Sequence, residues 1–201
     1  MNARSLLPKG LVPEAWRVDP VQHRLDAATV VESPHQDARP GGVGDIDTIV
    51  VHAISLPPGE YGGGWIDRLF QGDLPRSAHP YFATLEGLRV SAHLCIFRDG
   101  GLHQYVGFDA RAWHAGASDF EGRPRVNDFS IGIELEGCDD DGFTDAQYTV
   151  LARAIRALMT AYPAITPARL VGHADVAPGR KTDPGAGFDW TRLLAELRYR
   201  A

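Results

Sequence analysis

Two histidines and one aspartate in this chain have the types and setting to hold a hydrolytic metal. His52 comes near the end of the most apolar run, Ile46–Ile54, and His173 follows Leu170–Gly172 at a second strand end. Stiff strand ends keep ligands where a metal needs them. Asp183 lies ten positions after His173, inside Lys181-Thr182-Asp183-Pro184-Gly185, where Pro and Gly turn the chain and aim the carboxylate. Two imidazoles and a carboxylate suit Zn2+ and leave a fourth tetrahedral position for water, which then ionises near neutral pH. The competing reading of Asp183 is a carboxylate that only bonds its own turn.

Two further groups fit that chemistry. Glu134 sits on the polar side of the alternating run Ser130–Glu136, and a carboxyl placed there calls for a partner or a task, such as that of a general base. Glu136 shares its face and competes with it, although Gly137 beside it points to a strand end near solvent. Lys181, two residues before Asp183, would set an ammonium near the metal and stabilise an oxyanion; otherwise it is an exposed loop lysine. Other chemistries lack their residues. There is no G-x-S-x-G elbow, no phosphate-binding G-x-x-x-x-G-K-[ST] and no H-E-x-x-H. Cys95, between Leu94 and Ile96, reads as a small buried hydrophobe rather than a nucleophile.

The elements that must position these groups follow from pattern. Ile46–Ile54 is β-branched and almost continuously apolar, as in a strand covered on both faces. Leu56–Gly64 is a Pro/Gly loop, followed by a short helix with Trp65, Ile66, Leu69 and Phe70 on one face. Val90–Phe97, a turn at Asp99–Gly101 and Leu102–Val106 make a hairpin. Ser130–Glu136 alternates, with Ile131, Ile133 and Leu135 opposite Gly132, Glu134 and Glu136. Thr144 and Gln147 form a capping box that opens a helix over Asp145–Tyr162, its buried stripe running through Val150, Leu151, Ala154, Ile155 and Leu158. Thr166–Pro167 starts a short turn, and Asp189 caps a last helix through Arg198. The expected fold is a single α/β domain, with a central mixed β-sheet flanked by helices. Residues 1–45 read as an arm over the domain, with a weakly ordered look at Ala38–Gly44. No catalytic residue is placed there.

Composition narrows the setting. A 201-residue chain, 44% hydrophobic and 23% charged, is long enough for one well-buried core. The formal charge of −6 and the lack of a basic stripe argue against a nucleic-acid partner. No apolar run approaches the ~20 residues needed to span a bilayer. Pro8, Lys9, Gly10, Pro13 and Glu14 interrupt the N-terminus, so it does not read as a signal peptide. With only two cysteines, Cys95 and Cys138, the expectation is a reducing, cytoplasmic home.

The segments VVHAISLPPGEYGGGWID, AHPYF, LRVSAH, RAWHAG, NDFSIGIELEG, FTDAQY, GHADVAPGRKTDPG and FDW occur in an order and spacing that closely resemble the zinc-dependent N-acetylmuramoyl-L-alanine amidases. The likeness is strongest to those of the 1,6-anhydro-muropeptide type, and it runs from about Ser33 to the last helix. It implies a peptidoglycan-recognition/phage-amidase-like fold with one catalytic Zn2+ held by His52, His173 and Asp183. It also implies Glu134 as the acid/base, in preference to Glu136, and Lys181 as the transition-state lysine. Arg89 and Arg125 would meet carboxylates of the stem peptide, since a guanidinium binds such groups bidentately. Trp113 would border the groove, or else belong to the core. The implied substrate is a small anhydro-muropeptide, cut between muramic acid and L-alanine by a monomer during cytoplasmic peptidoglycan recycling, which lowers a signal for β-lactamase induction. Residues 31–201 would form the catalytic domain and residues 1–30 an N-terminal extension with no assigned role. One departure stands out: Ala53 follows the first histidine where the family carries Asn.

Two rivals differ from this reading. An amidase of polymeric peptidoglycan would be expected to carry an export signal or wall-binding module. A muropeptide-binding module without catalysis would be expected to have lost a ligand, whereas all three positions are filled here.

Overall fold

The computed structural model describes residues 15–198. In chain order the strands are β1 (Thr29–Val30), β2 (Gln36–Ala38), β3 (Thr48–Ile54), β4 (Leu94–Ile96), β5 (Leu102–Gln104), β6 (Ala110–Ala112), β7 (Asp119–Phe120), β8 (Arg123–Pro124), β9 (Ser130–Glu136) and β10 (Leu170–Gly172). The α-helices are α1 (Trp65–Gln71), α2 (Pro80–Thr84), α3 (Asp145–Ala161), α4 (His173–Val176) and α5 (Trp190–Arg198). Six strands form the main sheet in the order β1-β5-β4-β9-β3-β10. All neighbours run parallel except the β4–β5 hairpin, so the sheet is mixed, with helices against it as expected.

Alternation along the two longest strands, β3 and β9, divides the molecule. Ile49 and Val51 of β3, with Ile131, Ile133 and Leu135 of β9, bury into one core with Leu151, Ala154, Ile155 and Leu158 of α3 and Leu193 of α5. The period-2 pleat sends the intervening residues, His52 and Glu134 among them, to the opposite face. The capping box is present: Thr144 Oγ1 accepts from Gln147 N at 3.2 Å, and Gln147 Oε1 accepts from Thr144 N at 3.0 Å. The helix stops before Pro163, whose ring cannot continue it. Gln147 Nε2 also donates to the carbonyls of Ile96 and Glu136, tying α3 to the ends of β4 and β9. Each fully buried Leu or Ile of this stripe contributes about 2 kcal/mol by burial.

Two expectations need correction. The strand read over Val90–Phe97 is regular only at Leu94–Ile96. Its first residues instead make irregular bonds, Ser91 N to Trp113 O and His93 N to Gly132 O. The loose look of Ala38–Gly44 hides a buried cation. Arg39 donates to the carbonyls of Phe108, Asn127, Asp128 and Ser130 at 2.7–3.2 Å. Burial lowers its pKa to about 10, so it stays charged at neutral pH. A guanidinium tolerates burial when fixed carbonyls take up its donors, and here it pins the start of β9. Upstream, Leu25 enters the main core and β1 pairs with β5 at the sheet edge.

Candidate metal centre

His52 of β3, His173 at the start of α4, and Asp183 in the following loop converge at one point. His52 Nδ1 lies 3.0 Å from His173 Nδ1, and Asp183 Oδ2 lies 3.1 Å from each of them. The convergence has a local cause. β10 pairs in parallel with β3, setting Gly172 opposite Val51, which brings the strand ends carrying both histidines together. Ala174 N donates to Asp183 O at 2.9 Å, pinning the aspartate backbone to the His173 turn. At Gly185, where φ is +78°, a Cβ would stand 2.2 Å from Asp139 Cα, so only glycine lets this loop close down.

The donor set fits a metal ion. His173 Nε2 is 3.1 Å from the Ala115 carbonyl, so it carries the proton and donates, leaving a lone pair on Nδ1. Burial lowers the pKa of His52 to about 4, so its ring is neutral at physiological pH. Burial alone would raise the pKa of Asp183, but the His173 and His52 rings against its Oδ2 outweigh this and hold it well below the usual carboxylate range. Two neutral imidazoles and an anionic oxygen at about 3 Å match the roughly 3.3 Å ligand separation around zinc with bonds of 2.0–2.1 Å. Among the described residues, His52, His173 and Asp183 form the one His/Cys/Asp/Glu group that could hold an ion.

These residues line a cleft of about 720 Å³, which Glu134, Trp113 and Lys181 also line. Glu134 faces His52 across the β3–β9 register. Its Oε2 is buried without a hydrogen-bond partner, and burial, followed by the nearby Asp183 charge, pushes its pKa well above the ordinary value. Lys181 is exposed at the rim. Trp113 is half-buried, with His35 stacked at 5.9 Å and the Arg89 guanidinium 6.0 Å from its ring. Arg125 is exposed in a left-handed conformation (φ 61°), pairs with Asp128 at 2.9 Å, and shares a smaller cavity with Trp113. Arg89 and Arg125 do not line the metal cleft. Ala53 packs toward the α3 core as well as lining the cleft.

Glu136 is not near solvent, contrary to the expectation from Gly137. It is 3% exposed, and its two oxygens accept the amides of Gly62 at 2.6 Å and Arg98 at 3.1 Å. Two backbone donors offset the cost of burying a carboxylate. Sequence reasoning also passed over His114. His52 Nε2 lies 2.9 Å from His114 Nδ1, and His114 rests on Gly132, where a Cβ would come within 2.4 Å of the ring. The available signal was a glycine inside an otherwise apolar strand, which often marks a close approach.

The sequence profile of N-acetylmuramoyl-L-alanine amidases (Amidase_2) matches residues 42–186. The chain therefore belongs to the N-acetylmuramoyl-L-alanine amidase family. It is 55% identical over 185 residues to the 1,6-anhydro-N-acetylmuramyl-L-alanine amidase AmpD of Citrobacter freundii, covering 92% of this chain and 94% of that protein. A crystal structure of AmpD superposes with a TM-score of 0.84 at 56% identity, over 88% of this chain and 97% of the other. The amidase AmiD of Escherichia coli, solved with anhydro-N-acetylmuramic acid-L-Ala-D-γ-Glu-L-Lys, gives a TM-score of 0.56 at 32% identity, over 76% of this chain and 57% of that one. No helix among the described residues is long and apolar enough to cross a membrane.

Proposed function

We propose that this protein hydrolyses the amide between the lactyl carbonyl of anhydro-N-acetylmuramic acid and the L-alanine of the stem peptide. The observation that carries this reading is the convergence of His52, His173 and Asp183 beside Glu134, whose buried Oε2 has no hydrogen-bond partner. Near-full-length similarity to an anhydro-muramyl amidase supports the substrate class. Residues 31–201 are taken as the catalytic domain and 1–30 as an extension whose Leu25 and β1 pack into it, and the family match lies inside the former.

His52, His173 and Asp183 would hold Zn2+, which when bound supplies Lewis acidity at the carbonyl and acidifies water. Glu134 takes the proton of the attacking water, because its raised pKa suits it to both accept and release one. The water oxygen bonds to the carbonyl carbon, and Lys181 offsets the charge on the carbonyl oxygen. Glu134 then returns the proton to the alanine nitrogen as the C–N bond breaks. Trp113 borders the groove; Arg89 and Arg125, which lie outside the metal cleft, are assigned to the stem-peptide carboxylates on the family resemblance alone. The substrate is a small muropeptide rather than nucleic acid or membrane, and the enzyme acts as a cytoplasmic monomer in peptidoglycan recycling.

The test is mass-spectrometric product analysis on anhydro-muropeptide and intact sacculi side by side. Free peptide beginning with L-alanine is expected from the first and little from the second. Cleavage of sacculi alone would overturn the substrate assignment.

A further inference from the structure

One short segment after β6 touches both histidines of the metal centre, each on the nitrogen facing away from the centre. His114 Nδ1 lies 2.9 Å from His52 Nε2, and the neighbouring Ala115 carbonyl lies 3.1 Å from His173 Nε2. We infer that His114–Ala115 is a positioning segment that fixes the tautomer of both ligands, so that each presents Nδ1 to the metal. The inference rests on the metal-centre reading given above.

Hydrogen-bond direction supports it. His52 Nδ1 can bind a metal only with a lone pair there, which places the ring proton on Nε2 and makes His114 Nδ1 the acceptor. His114 must then carry its own proton on Nε2, where Ser130 Oγ stands 3.3 Å away as acceptor. Given the lone pair required on His52 Nδ1, this is the assignment that satisfies every atom in the row.

The segment is itself held from two sides. Asn127 Oδ1 accepts from Ala115 N at 2.8 Å and His114 N at 3.3 Å. Arg180 Nη2 donates to the Ala115 carbonyl at 2.6 Å and the Ala117 carbonyl at 2.7 Å. Below, the missing Cβ at Gly132 lets the His114 ring lie against the backbone of β9. A group that orients a ligand in this way typically contributes about 10–100-fold to metal affinity.

Two measurements test this. In zinc-loaded wild-type protein, long-range 1H–15N correlation of the histidine rings should show the His52 and His114 protons on Nε2. A proton on His114 Nδ1 would overturn the inference. Competition with a chromophoric chelator should show zinc affinity reduced about 10–100-fold in His114→Leu. In His114→Asn the amide oxygen replaces Nδ1 as acceptor, and affinity should stay near wild type. Wild-type affinity in the Leu variant, or an Asn variant as weak as Leu, would overturn it. Should the Leu variant not fold, the wild-type spectrum and the Asn variant decide. Wild-type protein binding no zinc would instead sink the metal-centre reading itself.

Discussion

His52 of β3 and Glu134 of β9 stand opposite each other in a parallel register that runs unbroken from Thr48↔Ser130 to Ile54↔Glu136. The spacing between a proposed metal ligand and a proposed proton carrier is thus set by two adjacent interior strands of the sheet, not by a loop. Backbone pairing of this kind holds catalytic geometry more tightly than loops do.

Replacing Glu134 with Gln should abolish turnover, by about 10²–10⁴-fold for loss of a general base, while zinc content stays at wild-type level. Steady-state rates together with metal analysis check this, and wild-type rates would end the assignment.

The same variant should change stability with pH. The folded pKa of Glu134 lies above its ordinary value of 4.5. Its stabilising contribution is therefore complete below that value and is lost as pH rises through the folded pKa. Metal-free Glu134→Gln should gain on metal-free wild type as pH rises, and the gain should vanish near pH 4. Urea unfolding in chelator across that range is the measurement.

His173→Ala removes one of three proposed ligands and should lose zinc along with activity. Atomic absorption on the purified variant reads this directly; full metal content would remove His173 from the set.

Glu136→Gln leaves one acceptor for the amides of Gly62 and Arg98 and turns an NH2 group against the other. A mispaired buried donor costs about 1–3 kcal/mol. Because the Gly62 loop adjoins the cleft wall at Ser55–Pro58, KM should rise more than kcat falls, with zinc unchanged. Kinetics and denaturant midpoints separate the two effects.

Thr144→Ala, far from the chemistry, should cost about 1 kcal/mol through loss of the α3 cap and leave kcat/KM intact.

The parts legible in sequence were those with a local cause. The alternation of Ser130–Glu136 predicts which residues share a face, and the Thr144–Gln147 box predicts the start of α3; both are seen. The convergence of the proposed metal ligands was readable because each sits at a strand end or in a Pro-Gly turn. What escaped was set by distant partners. Arg39 is buried because four carbonyls from residues 108–130 surround it, and Glu136 because Gly62 and Arg98 reach it. Neither pairing leaves a local pattern. His114 was one of eight histidines, and only the three-dimensional pairing with His52 sets it apart.

His52 and Asp183 are 131 positions apart in the chain. An ion gripped by both fastens the polypeptide to itself across most of its length, much as a covalent bridge does. For a disulfide closing a loop of this size, chain entropy in the unfolded state accounts for about 4–5 kcal/mol. A zinc ion held by the proposed ligands would thus be a structural rivet as well as a reagent, and chelation should lower the melting temperature as well as the rate.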